Sequence, residues 1–145
     1  MKTMVAVVID TDVFSALYVT PASKARERFP LDGWKALLEG ARVVIYFQTR
    51  AELLTGARSG GWGARRLDAL ISHVSATPVI GLDEDVLQSY VELTTGCKVA
   101  GHGLHAKVHT ADRWIAACAV AKQLPLLSGD EIFVDAPGIA LLGKP

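Results

Sequence analysis

The segment Met4–Ile9 is an unbroken run of Val, Ala and Ile that stops at Asp10. A strand with one wet face alternates apolar and polar residues, whereas a strand covered on both faces has no polar side to show. This run therefore predicts a central strand of a parallel sheet with helices packed on both sides. Parallel neighbours need long crossover connections, usually helical, and the rest of the chain supplies them. The pattern predicts a helix over Val13–Val19, a break at Pro21 and Ser23, the basic segment Lys24–Arg28, and a helix near Leu31–Glu39 closed by Gly40. A second strand spans Arg42–Phe47 and leads into a helix from Thr49. Beyond the loop of Gly60, Gly61 and Gly63, Leu67, Leu70, Ile71 and Val74 recur at helical spacing within an amphipathic helix. Pro78–Leu82 is a short strand, and Asp83, Glu84 and Asp85 open a helix that runs to about Thr95, acids being favoured at its positive end. Gly96–Gly103 is read as a flexible link, Thr110–Gln123 as an Ala-rich helix, Leu124–Leu127 as a strand, Ser128–Asp130 as a turn and Ile139–Leu142 as a last strand. The expected class is α/β, a three-layer α/β/α sandwich around a mostly parallel sheet.

The length of 145 residues fits a single domain, residues 1–145. Half of the residues are apolar, too many for a disordered segment. Fifteen Lys and Arg balance fifteen Asp and Glu, so no bulk positive field draws in a polyanion, and any nucleic-acid contact must come from local clusters. Cys97 and Cys118 make neither a disulfide scaffold nor a metal-ligand spacing and fit a reducing compartment. The first run carries no small-residue cleavage site, and no apolar stretch approaches the roughly 18–20 residues that span a bilayer. A soluble, cytoplasmic protein without a membrane partner is expected.

Sites in such sheets form at the carboxyl ends of the strands. Four acids from separate segments fall there or at a helix start facing that edge: Asp10, Glu52, Asp112 and Asp130. Each has a local explanation. Thr49 and Glu52 make a Thr-x-x-Glu capping box, Asp112 follows a Thr110 cap, and Asp10 and Asp130 are good caps themselves. Together they imply more, because four converging carboxylates repel one another by several kcal/mol, as an order of magnitude, unless a cation neutralises them. Hard oxygen ligands without Cys or His select Mg²⁺ or Mn²⁺. Such ions position a water, lower its pKa and stabilise the leaving oxygen of a phosphodiester.

Three stretches, VVIDTDVFS at 7–15, RAELLTGA at 50–57 and HTADRWIAACAVAKQLPLLSGDEIF at 109–133, resemble in order and spacing a PIN-domain ribonuclease, most closely the VapC toxin of a toxin–antitoxin pair. The resemblance covers nearly the whole chain. It implies a Mg²⁺- or Mn²⁺-dependent endoribonuclease in which Asp10, Glu52, Asp112 and Asp130 hold the metal and serve catalysis, with Asp135 as a nearby substitute for the fourth. It also implies a VapB-like antitoxin that covers the pocket, a homodimer, and structured RNA such as tRNA or rRNA as substrate. Ser128 stands where the family often has a hydroxyl bonded to a ligand or water, and Arg113 would face an acid or an RNA phosphate; both are expected at the substrate. Asp12 is either an outer-sphere acid or a helix-start acid.

Two other readings use the same residues. DTDVF and GDEIFVD resemble the start and late motif of haloacid-dehalogenase-type phosphatases, making Asp10 a phosphate-accepting nucleophile with need of Asp12, but leaving Glu52 and Asp112 unexplained. A non-catalytic binding module of the same fold is the second. His102, His105 and His109 are read as loop and helix-start residues rather than metal ligands. Local basic clusters are Lys24, Arg26 and Arg28, then Arg50, Arg58, Arg65 and Arg66, and Trp62 is expected at an antitoxin or dimer contact rather than under a base. The helix bearing Leu31, Trp34, Leu37 and Leu38, with the helix after Glu52, forms a groove suited to an antitoxin helix.

Overall fold

The computed structural model describes residues 5–143; Met4, the expected start of the first strand, lies outside them. Strand β1 (Ala6–Ile9) pairs in parallel with β2 (Arg42–Tyr46) on one side and with β4 (Leu126–Leu127) on the other, and β3 (Val79–Ile80) extends the sheet beyond β2, giving the order β3-β2-β1-β4. The expected last strand shrinks to one parallel bridge, Leu141 to Leu126.

Successive strand residues point to opposite layers, which accounts for the unbroken apolar pattern. Val7, Ile9, Ile45 and Leu127 enter one core, filled by α1 (Thr11–Phe14), α2 (Ala22–Arg28), α3 (Leu31–Leu38), α4 (Phe47–Ser59) and α5 (Ala64–Ala76). Val8, Val44, Tyr46 and Leu126 enter the other, against α6 (Glu84–Ala100) and α7 (Thr110–Ala121). The result is the three-layer sandwich. In α7 the small residues Ala116, Ala117, Cys118 and Ala119 are all buried, and their size lets the helix lie close to both the sheet and α6. Burial pushes the Cys118 thiol up to about 12, so it is a packing group and not a nucleophile.

Several boundaries differ from the sequence pattern. The first helical stretch starts at Thr11 because Asp10 caps it, and it widens into a π-turn over Ser15–Val19, closed by a Thr20 N–H donating to Ser15 O at 2.7 Å. The basic segment is itself helical, as α2. The largest change is at Gly96, where the expected link is instead the last part of α6. The stop is Gly101, whose φ of 71° is the left-handed turn that favours glycine, with the His102 N–H returning to Cys97 O. Two short 3₁₀ turns then carry the histidines. His102 accepts from the Leu104 N–H through Nδ1, so its Nε2 carries the proton given to Val134 O at 2.8 Å. His105 donates to His102 O, and His109 meets Asp112. Each ring has its own partner, as expected for loop and helix-start residues. At the other end of α6, Asp83 accepts from the Val86 N–H and pairs with Lys122 from the end of α7, tying together the two helices of that layer.

Among the described residues no helix is long and apolar enough to cross a membrane. Since α6 is continuous through Gly96 and a Cβ there would meet nothing within 4 Å, Gly96→Ala is expected to stabilise the protein by roughly 0.4–1 kcal/mol. Urea unfolding measures this, and a loss of stability would contradict a helical Gly96.

Candidate metal and catalytic site

The carboxyl ends of β1 and β4 lie side by side, joined by the Asp10 N–H donating to Leu127 O at 2.9 Å. Asp10 leaves β1 there and is 6% exposed. Its two oxygens are held separately: the Thr11 N–H donates to Oδ1 and the Ser128 hydroxyl to Oδ2, both at 2.8 Å. Ser128, itself buried, accepts from the Asp130 N–H at 3.0 Å. Two residues on, Asp12 performs a second tie: its Oδ1 accepts from the Val13 N–H and its Oδ2 from the Gly129 N–H at 3.0 Å. Glycine is required at 129 for a steric reason. A Cβ there would sit 2.7 Å from Asp12 Oδ2 and 3.1 Å from the Trp34 indole.

Burial pushes the Asp10 carboxyl up to about 7, and the charges of Asp12 and then Asp112 add to the rise, against the Ser128 and Thr11 hydrogen bonds. Asp12 is raised for the same first reason, with Asp130 and Asp112 contributing and the Gly129 and Val13 N–H groups opposing. Asp10, Asp12, Asp112 and Asp130 thus share one field. Asp112 enters from the first turn of α7, half-buried, with His109 Nδ1 at 3.1 Å. Asp130 is exposed and caps the final 3₁₀ turn through the Ile132 N–H. Asp130, and not Asp135, is the late acid whose charge reaches Asp12; Asp135 lies exposed farther along, at a φ of 62°.

Glu52 stands to one side. The capping box does not form, because α4 begins at Phe47 and Thr49 is already inside it. Thr49 is instead buried, its hydroxyl 3.1 Å from that of Thr11, and the Thr11 hydroxyl donates to exposed Glu52 at 2.8 Å. Gln48 donates to the other Glu52 oxygen. The acid is therefore fastened to the β1–α1 turn, next to the Asp10 cluster.

Two expected substrate contacts are corrected. Arg113 points into the core, 4% exposed, and donates to Leu104 O, Ala106 O, the Tyr90 hydroxyl and the Thr110 hydroxyl. Its guanidinium closes the carbonyls of the 3₁₀ turns before α7, since a buried charge needs such partners, and it is not at a surface where RNA lies. Ser128 is likewise buried: its hydroxyl bonds to Asp10, the kind of contact expected of it beside a ligand, and not to a surface where a substrate could reach it. Asp12, for its part, emerges as the residue that fixes the relative position of the two loops. Its spacing of two from Asp10 is the only sequence signal of that role.

The donor type suits a hard divalent cation: carboxylate oxygens from separate elements, with Asp10 buried and driven toward its neutral form. Among the described residues no three His, Cys, Asp or Glu side chains are already gathered at ligating distance.

Two clefts open from this cluster on either side of the π-turn. One, of ≈ 340 Å³, runs from Thr11 and Glu52 past Leu53 and Ala57 to Trp62, Arg66 and Leu70. The other, of ≈ 350 Å³, runs from Asp12 to Lys24, Arg28 and Phe29. Of the groove expected beside α3, Leu31 and Trp34 are core residues, Trp34 stacking on Phe29, whereas Lys35 and Leu38 line a cleft of ≈ 310 Å³ with Leu17, Tyr18 and Val43 and without α4.

The PIN-domain family model matches residues 7–139. No curated protein matches the chain. Among solved structures, the chain is similar to VapBC2 from Rickettsia felis bound to a DNA fragment from their promoter, at 20% identity and a TM-score of 0.71 over 94% of this chain and 96% of that one. It is similar to DNA-bound VapBC from Salmonella typhimurium at 19% identity and a TM-score of 0.71, covering 95% and 97%. FitAcB from Neisseria gonorrhoeae aligns at 20% identity and a TM-score of 0.68, covering 94% and 96%.

The folded value of Asp10, about 7, lies above its ordinary 3.8, so the folded protein retains a proton that the unfolded chain releases between those limits. This contribution to stability is full below about pH 4 and is lost as pH rises to about 7, at up to roughly 1.4 kcal/mol per unit. Thermal unfolding in EDTA is expected to show that decline, and Asp10→Asn to flatten it. Gly129→Ala is expected to cost about 1–3 kcal/mol in urea unfolding, through the clash with Asp12 and Trp34.

Proposed function

The chain belongs to the PIN-domain family, and from that premise we propose that it is a Mg²⁺- or Mn²⁺-dependent endoribonuclease acting as the toxin of a toxin–antitoxin pair. The observation that carries this reading is the Asp10 carboxyl at the end of β1, pushed up to about 7 by burial and then by the charges of Asp12 and Asp112, with Asp130 acting in turn on Asp12. A fold that buries an acid among acids needs a cation to make the arrangement favourable near neutral pH. Asp10, Glu52, Asp112 and Asp130 would hold it. The cation supplies a water of lowered pKa and charge compensation at the leaving oxygen.

The protein's own residues do the positioning. Ser128 and the Thr11 N–H fix the two Asp10 oxygens, so the carboxylate meets its ligand without a search among rotamers. Asp12 holds Gly129, and through it the loop that carries Ser128 and Asp130. Thr11 holds Glu52 within reach, and His109 steadies Asp112. No side-chain nucleophile is needed.

The phosphatase alternative asks Asp12 to carry a proton to a leaving group. Both Asp12 oxygens already accept backbone N–H groups, which favours the nuclease. A toxin role brings a VapB-like antitoxin, and the relatives include one described as a toxin–antitoxin complex from Klebsiella pneumoniae. The cleft floored by Leu53, Ala57 and Leu70 and ended by Trp62 suits an apolar antitoxin segment better than RNA. A homodimer and a cytoplasmic site of action, with tRNA or rRNA as substrate, belong to the same proposal; both cysteines are free, as suits a reducing compartment.

The test is cleavage of a folded total-RNA pool by the purified protein in Mg²⁺, Mn²⁺ or EDTA. Cutting is expected only with metal, and Asp10→Asn and Asp112→Asn are each expected to reduce it by roughly 10²–10⁴-fold. Equal cutting by wild type and Asp112→Asn would reject the acidic site as the catalyst.

A further inference from the structure

We propose that the cleft between the π-turn and α2 seats the backbone of single-stranded RNA beside the acidic cluster, with Lys24 and Arg28 binding its phosphates. The inference rests on the nuclease reading and deepens it by naming where the substrate strand runs.

The basic cluster on α2 divides in two. Arg26 turns away to Asp32, with its Nη2 3.1 Å from Oδ1 and its Nε 3.2 Å from Oδ2. Lys24 and Arg28 line the ≈ 350 Å³ cleft that begins at Asp12, and neither makes an ion pair among the described residues. They stand at i and i+4, so they share one helix face about 5–6 Å apart at Cβ, a step that matches neighbouring phosphates along a strand. The Arg28 guanidinium lies 5.3 Å from the Phe29 ring centroid, a cation–π contact that holds it over the cleft. Ser15 and Thr20 add hydroxyls to the wall.

The charge order within this cleft selects its occupant. Asp12 at one end, two residues from Asp10, brings the cleft up to the acids that would hold a cation and its phosphate, and the cations at the other end suit the next phosphates of the same strand. The chain has no net positive charge to attract RNA, so contact depends on local cations, and Lys24 and Arg28 line the same cleft as Asp12. The cleft on the other side of the π-turn has Arg66 as its lining cation, and that side chain already stacks on Trp62 with 3.6 Å to the ring centroid.

Fluorescence anisotropy of a labelled single-stranded RNA oligonucleotide in EDTA tests this without cleavage, comparing wild type, Lys24→Ala/Arg28→Ala and Arg26→Ala over a salt series. The double variant is expected to bind roughly tenfold more weakly at low salt, with the slope of log K against log salt shallower by about 1.4 for two lost phosphate contacts. Arg26→Ala should bind within about twofold of wild type. All three side chains are exposed, and matching circular dichroism and Tm would confirm that the variants fold. The proposal is overturned by an unchanged double variant, by an equal loss in Arg26→Ala, by no RNA binding in wild type, or by polyglutamate competing as well as RNA, which would assign the cleft to an acidic protein. Weakened binding in the double variant, together with a wild type that cuts nothing in Mn²⁺, would support the cleft while rejecting the nuclease reading.

Discussion

A carboxylate withdrawn from water at the end of a central strand is the constraint around which the other features are arranged. Asp10 cannot leave β1 in any other direction, because β2 and β4 flank the strand and helices cover both faces. Its burial is costly unless each oxygen is satisfied, and that need accounts for the buried hydroxyl at 128, for the tight turn into α1, and for the latch from Asp12 to Gly129. The fit at Gly129 leaves no room for a side chain, so the latch also fixes how Trp34 packs. Site geometry and core packing are, at this point, one structure.

Most of the architecture was legible because the chain is consistent with itself at several levels. The unalternating run ending in Asp10, the β-branched strand from Arg42 and the small residues of α7 each point to a covered parallel sheet, and all three behave that way. The failures have local causes. Gly96 was read as a break because glycine is a poor helix former, yet the packing of α6 on α7 carries the helix through it to Gly101. Thr49 and Glu52 matched a capping box by spacing, but the helix had already begun at Phe47, freeing both to face Thr11. Periodicity reports which face of a helix is apolar and not where its first turn lies.

The acids were legible as a set because strand ends in such a sheet converge, but spacing alone did not rank them. It placed Glu52 beside Asp10 as an equal and left Asp12 peripheral, whereas Asp12 is central in both hydrogen bonding and field. Arg113 illustrates the same limit. A charged residue next to an acid invites a surface reading, and only the fold reveals the two backbone carbonyls, Leu104 O and Ala106 O, that its guanidinium meets. The π-turn is a further element that no pattern announced. It forms the ridge between a cleft that reaches Glu52 and Trp62 and one that reaches Asp12, Lys24 and Arg28, so the acidic end of the sheet is open from two sides.

The contact between Ser128 and Asp10 joins residues 118 apart in sequence, and β4 reaches its place beside β1 only with the segment that precedes it. During synthesis β1 emerges long before the loop that completes the site. A nascent chain still threaded in its ribosome therefore has Asp10 without Ser128, and Asp12 without Gly129 to hold. Such a chain has no assembled acidic centre. The long closure that slows folding also delays assembly of that centre until the segment carrying Ser128 and Gly129 has left the ribosome.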